Sequence, residues 1–258
     1  MFYFIIIILV VIFSCIGIYY LCKSKKQHYI QKFEIRPAIH NIEFDQAYSE
    51  MSRQEQITRD KAPKYTELGF KVMKLPKELD YRLKELWNSK KHLKELEDVP
   101  INFIYGTNNS KESIVHLLDI NKHDPQLKSD LETYILEKLK EWTGLENLFH
   151  SATFGIREYK RGATLKVHCD RYDTHVLSAI IHITHNSDKG WPLTVWDHKN
   201  KKHDVYLDDS INLVLYESIT LMHGRPYEHK GDSFVNIFIH FKLPQWKEQM
   251  EKLLANYN

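Results

Sequence analysis

Cysteine is scarce in this chain. It has three in 258 residues, and Cys15 and Cys22 lie inside an apolar N-terminal run. Only Cys169 remains beyond that run, so the rest of the chain can form no disulfide of its own, which agrees with a reducing compartment. An excess of one charge is also missing. The formal net charge is +2 and the basic residues are dispersed along the chain. A nucleic-acid binder concentrates positive charge on one surface, so no nucleic-acid partner is expected. There is no internal repeat. There is also no His-Glu-x-x-His helix, which argues against a zinc hydrolase.

Residues 1–22, MFYFIIIILVVIFSCIGIYYLC, contain no charged side chain. Such a run is long enough to cross a bilayer as a helix. Tyr19 and Tyr20 suit an interfacial position, and Lys23, Lys25 and Lys26 follow at once. A cleaved signal peptide usually starts with basic residues and has a shorter apolar core. The expectation is therefore an uncleaved transmembrane helix, giving a single-pass membrane protein with the membrane as a partner. The flanking lysines put the remainder in the cytosol. A lumenal orientation stays open, and there Asn108-Asn109-Ser110 would be a glycosylation acceptor.

Beyond the anchor, residues 23–66 are polar and read as a juxtamembrane linker, with a short element near Ile39–Phe44. Residues 67–147 form a helical support region. It opens with an edge strand over 69–75. A helix follows Pro76 on the apolar stripe Leu79, Leu83, Leu86, Trp87 and Leu93, and ends before Pro100. Ser113–Trp142 predicts one or two helices, broken at Asp124-Pro125 and closed by Gly144.

From residue 148 to 258 the texture changes. Ala152–Tyr159, Leu165–His168, His175–Ile183, Leu193–Trp196, Val205–Leu207, Leu213–Tyr216 and Phe234–Phe241 are short β-type runs between polar turns. Strands at this spacing predict a sandwich or barrel. Trp246–Tyr257 reads as a closing helix. The expected class is α+β: N-terminal packing helices on an antiparallel double sheet, preceded by one transmembrane helix.

The chemistry rests on His168-Cys169-Asp170 and on Met222-His223-Gly224-Arg225-Pro226. Two imidazoles and one carboxylate are the ligand set of non-haem iron(II) oxygenases, which leaves open positions for a co-substrate and oxygen. Residues two apart on a strand point the same way, so His168 and Asp170 would face the interior and Cys169 away from it. A His-x-Asp triplet alone is commonplace. His223, before a Gly-Arg-Pro turn, is what raises the triplet above that background. Among the other histidines, His28, His92, His150, His198 and His203 lie in polar contexts. His175, His182 and His185 are nearer the candidate site, but not as ligands.

Residues from about 154 to 242 resemble the catalytic domain of the prolyl 4-hydroxylase-like Fe(II)/2-oxoglutarate dioxygenases. The matching features are Tyr159, Gly162, His168-Cys169-Asp170, Asp173-Thr174-His175 and His223. The segments HCDRYDTHVLSAI, WPLTVWDH, LVLYES and HGRPYEHKG are similar to one branch of that family. The resemblance implies a double-stranded β-helix (jelly-roll) core, with His168, Asp170 and His223 as iron ligands and catalytic centre. It also implies 2-oxoglutarate as co-substrate, molecular oxygen as reactant and ascorbate as a candidate accessory reductant. The implied reaction couples decarboxylation of 2-oxoglutarate to succinate with hydroxylation of an unactivated C–H bond, with a proline-containing peptide or protein as substrate. Trp191, Trp196, Tyr172 and Tyr227 would line an aromatic groove for that peptide.

The family places a basic residue ten positions after the distal histidine to hold the far carboxylate of 2-oxoglutarate. Here that position is Ser233. A dicarboxylate in a closed pocket needs a cation, best one with forked donors. Lys230 is the first choice for that role, with Ser233 and Tyr159 as hydroxyl donors. Lys166 is the next choice, because it shares strand parity with His168. Arg157, Arg171 and Arg225 are further candidates. The missing basic residue keeps two other readings open: a non-catalytic, membrane-tethered barrel that binds a metal or ligand, and a cupin-like metal enzyme that does not use 2-oxoglutarate.

Overall fold

The computed structural model describes residues 43–97, 104–105, 115–187 and 190–257. The helices are α1 (Phe44–Ser49), α2 (Arg53–Lys61), α3 (Lys77–Lys90), α4 (Ile120–His123), α5 (Pro125–Thr143) and α6 (Trp246–Ala255). The strands before residue 148 are β1 (Phe70–Met73), β2 (Glu95–Leu96), β3 (Ile104–Tyr105) and β4 (Val115–Leu118). Those after it are β5 (Phe149–Lys160), β6 (Thr164–His168), β7 (Leu177–Asn186), β8 (Leu193–Trp196), β9 (Lys202–Val205), β10 (Leu213–Tyr216), β11 (Met222–Arg225) and β12 (Ser233–Lys242).

The membrane part of the sequence expectation is corrected. Among the described residues no helix is long and apolar enough to cross a membrane. The run 1–22, on which the transmembrane helix, the membrane partner and the single-pass location all rested, lies outside the described residues. None of the three is retained. Helices α1 and α2 fall in the segment read as linker, and Leu117-Leu118, read as helix, belong to strand β4.

Strands form two sheets. The larger has the order β1-β10-β7-β12-β5-β4-β2 and the smaller β3-β6-β11-β8-β9. Their pairings are antiparallel. Alternation along β12 explains how the large sheet is covered. Val235, Ile237, Ile239 and Phe241 join the helix-side core, whereas Phe234, Asn236 and His240 meet the groups between the sheets.

Helix α5 covers the large sheet because its buried residues, Leu127, Leu131, Ile135 and Leu139, recur every fourth position and form one stripe. Each such side chain contributes about 1.5–3 kcal/mol when fully buried. The ends of α5 are fixed locally. The Asp124 carboxylate accepts from Leu127 N at 2.8 Å, Pro125 occupies the first turn, and Gly144 closes the helix at φ 75°.

The outer face of the small sheet is covered differently. Ala47 of α1 and Met51 just after it pack with Val167, Cys169, Trp196 and Met222. Cys169 is buried there, and burial pushes its thiol pKa well above the usual range. The side chains of His168 and His223, one step along their strands from this layer, therefore turn inward between the sheets.

Candidate metal centre

His168 and His223 are Cα partners across the β6–β11 pair, so both rings leave the sheet on one face. Their centroids are 4.4 Å apart. Asp170 follows the end of β6, and its backbone N–H donates to Ser218 O at 2.8 Å, which pins it beside the β10–β11 turn. The two Nε2 atoms converge on one oxygen of Asp170, at 3.3 Å from His168 and 3.6 Å from His223. Among the described residues, these three form the one group of His, Cys, Asp or Glu side chains whose ligand atoms lie within 4.8 Å of one another.

Both rings are oriented from behind. Nδ1 of His168 lies 2.7 Å from Lys166 O, and Nδ1 of His223 lies 2.8 Å from Leu221 O. With Nδ1–H committed to a carbonyl, Nε2 is left as the lone pair for a metal. The donor set of two nitrogens and one hard oxygen fits a ferrous ion and leaves coordination positions free. Burial opposes the charge of Asp170, yet bonds from both imidazoles hold its carboxyl pKa well below the usual range. The Tyr216 hydroxyl lies 3.5 Å from the second Asp170 oxygen. His240 Nδ1 lies 3.8 Å from that same oxygen and 2.7 Å from Ser178 Oγ.

The register depends on Gly224. A Cβ there would sit 2.8 Å from Lys166 O, 2.9 Å from Val167 Cα and 3.0 Å from Leu165 O, all backbone atoms of β6. The β6–β11 register shifts between His223 and Arg225 at this close approach. Gly224→Ala must push the strands apart and separate the two histidines. We expect a loss of about 1–3 kcal/mol in stability and about a 10-fold loss of metal affinity, of the size seen when groups orienting a ligand are disturbed. Urea unfolding and a metal titration measure the two effects. Unchanged values for both would mean that the strands part freely.

The centre opens onto a cleft of about 430 Å³ lined by Gln54, Glu55 and Thr58 of α2 and by the segment His168–Asp173. The aromatic groove expected from sequence is not assembled. Trp191 lies between the sheets at 2% exposure, and Trp196 is in the outer cluster at 1%. Tyr172 packs against the helix-side core, and Lys202 Nζ donates to the Tyr227 hydroxyl at 2.6 Å.

The candidate co-substrate residues also separate. Lys230 has a 69% exposed side chain and pairs with Glu228 at 2.7 Å. Ser233 donates to Glu158 at 2.7 Å, and strand parity turns it away from the interior. The interior position is taken by the neighbouring Phe234. Arg157 pairs with Glu97, and Arg171 with Asp173. Lys166 is half-buried. Tyr159 is fully buried and meets the Trp191 ring at 5.2 Å.

Arg225, one of the lesser candidates from sequence, is 1% exposed. Its guanidinium lies 4.5 Å from the Phe234 ring centre and 4.9 Å from that of Trp191. The sequence names Trp191 and His182 but does not place them around Arg225. His182 and His229 border the same Phe234 ring, and burial, with help from the Arg225 charge, lowers their pKa values to about 3 and about 4. Both are neutral at physiological pH. The one available signal was that Arg225 stands two residues from His223 and so shares its strand face.

No family profile matches the chain, and no curated protein matches it. Solved structures do. A prolyl hydroxylase from Trichoplax adhaerens, solved with a hypoxia-inducible-factor oxygen-degradation-domain peptide, is 12% identical with a TM-score of 0.52, covering 76% of this chain and 92% of its own. AviO1 from Streptomyces viridochromogenes is 13% identical with a TM-score of 0.51, covering 75% and 96%. SnoK, a non-haem α-ketoglutarate-dependent carbocyclase of nogalamycin biosynthesis, is 12% identical with a TM-score of 0.51, covering 75% and 85%. At these identities the likeness defines the fold. That fold is the two-sheet double-stranded β-helix of a group of Fe(II)/2-oxoglutarate oxygenases that includes prolyl hydroxylases.

Proposed function

We propose that the chain is an Fe(II)- and 2-oxoglutarate-dependent hydroxylase acting on a proline-containing peptide or protein. The observation that carries the oxygenase reading is the convergence of His168 Nε2 and His223 Nε2 on one Asp170 oxygen. Those three side chains would hold iron. Bound Fe(II), with 2-oxoglutarate and oxygen, supplies the oxidation of an unactivated C–H bond to an alcohol.

The chain's own contribution is position and enclosure. Lys166 O and Leu221 O keep the two imidazoles facing Asp170. Ser218 O keeps the Asp170 backbone beside them. The rings of Tyr159, Trp191 and Phe234 pack together between the sheets, while the cleft beside α2 admits a substrate from outside. No general base is required. The choice of a prolyl peptide rests on the sequence resemblance and on the fold shared with the Trichoplax hydroxylase.

The test is a screen of proline-containing peptides with the iron-loaded protein, oxygen and 2-oxoglutarate. Ascorbate is varied as an accessory reductant. The expected result is succinate formation in step with the gain of one oxygen atom on a peptide. Succinate without peptide modification would leave the oxygenase and remove the prolyl substrate. No succinate from a folded, iron-loaded protein would remove the oxygenase reading itself.

A further inference from the structure

Among the described residues, no carboxylate pairs with the buried guanidinium of Arg225. Its Nη1 donates to the Trp191 carbonyl, and its Nη2 has no hydrogen-bond partner among the described residues. Two aromatic faces, Trp191 and Phe234, flank it. Cation–π contact positions a guanidinium without neutralising it. A buried charge left unpaired is costly, and native proteins rarely tolerate one without a counterion. A guanidinium keeps its charge in a protein interior.

The aromatic cluster around Phe234 holds a second orphaned donor. Among the described residues, the Asn236 amide nitrogen is buried without a partner. Asn236 is tied to His182 through its oxygen at 3.1 Å, and the rings of His182 and His229 both border Phe234. An unpaired cation with an unused donor defines a site for an anion.

Distance and direction tie this site to the metal centre. Arg225 and His223 leave β11 on one face, two residues apart, which is roughly 6.6 Å along a strand. A ligand holding the metal at one end would meet the guanidinium after a short carbon chain. The expected basic position on β12 cannot serve, because Ser233 faces outward and Phe234 takes its place.

We infer that Arg225, on β11 rather than β12, is the residue that binds the distal carboxylate of a five-carbon 2-oxo dicarboxylate. This rests on the oxygenase reading above. It assigns the anchoring role to a strand next to the metal ligand, where a forked donor replaces the missing basic side chain of β12.

The test measures binding, not turnover. Manganese(II)-loaded protein is titrated calorimetrically, without oxygen, with 2-oxoglutarate and with 2-oxopentanoate, which has the same ketoacid end and no distal carboxylate. The wild-type protein should bind 2-oxoglutarate about 30- to 1,000-fold more tightly, the range expected for a buried charge pair. Arg225→Gln should lose that preference and leave 2-oxopentanoate affinity nearly unchanged. Arg225→Lys should keep part of it, and it serves in place of Arg225→Gln if that variant does not fold. A full preference retained in the substituted, folded protein overturns the inference and leaves the oxygenase reading intact. Equal affinity of the wild type for both ligands also overturns it. A manganese-loaded wild type that binds neither ligand removes the 2-oxoglutarate reading on which the inference stands.

Discussion

Asp170→Asn should abolish tight iron binding while the protein stays folded. Asn keeps the size of Asp and removes the charge. The two imidazole nitrogens now converge on an oxygen of that carboxylate, and a neutral amide oxygen there is a far weaker ligand for a hard divalent cation. Groups that merely orient ligands cost about 10–100-fold in affinity when lost, so loss of a ligand itself should exceed about 100-fold. Titration with manganese(II), followed by its electron paramagnetic resonance signal, measures this directly. Circular dichroism checks the fold. A folded Asp170→Asn protein that binds the ion as the wild type does would exclude His168, Asp170 and His223 as the metal site.

The second large effect concerns stability. Glu217 follows β10, is 1% exposed and holds three donors: Tyr65 N at 2.8 Å, Thr66 N at 2.7 Å and Thr66 Oγ1 at 2.5 Å. It thereby ties the segment before β1 to the turn that leads into β11. The same turn is closed by Thr220 N and Leu221 N, which donate to Glu217 O at 3.0 and 2.9 Å. Glu217→Ala leaves the three donors without their acceptor. Each unsatisfied buried group costs about 1–3 kcal/mol, so a total near 3 kcal/mol is expected. That corresponds to a fall of about 6–12 °C in the melting temperature for a chain of this size. Glu217→Gln, which keeps an acceptor oxygen, should lose less. Equal melting temperatures for the wild type and Glu217→Ala would mean that the 65–66 segment is not anchored there.

Much of the fold is legible in the chain. Leu193–Trp196 and Leu213–Tyr216 are strands with the bounds that their apolar runs give. Asp124-Pro125 and Gly144 bound α5 because capping and φ preference are local properties. Leu117-Leu118 misleads, since two adjacent leucines fit a helix stripe as well as a buried strand, and only pairing with β5 selects the strand. Strand β11 is hidden for a related reason. Met222-His223-Gly224-Arg225 has no strand-like composition and becomes a strand by lying between β6 and β8.

The site divides along the same line. His-x-Asp and a distant histidine name a metal chemistry from residue types alone, because ligand preference is a property of the side chain. The anchor for an anion cannot be chosen that way. Arg225, Lys230 and Ser233 lie close together in the chain and Lys166 lies just before His168, yet their burial and partners depend on which face of which strand each occupies. A one-residue difference in parity sends Ser233 to Glu158 and Phe234 to the interior. Cross-strand register then sets Arg225 between two rings, with no paired carboxylate among the described residues. The chain therefore fixes the kinds of groups available, and only long-range strand pairing decides which of them are buried together, because burial and counterion access are properties of the assembled sheets.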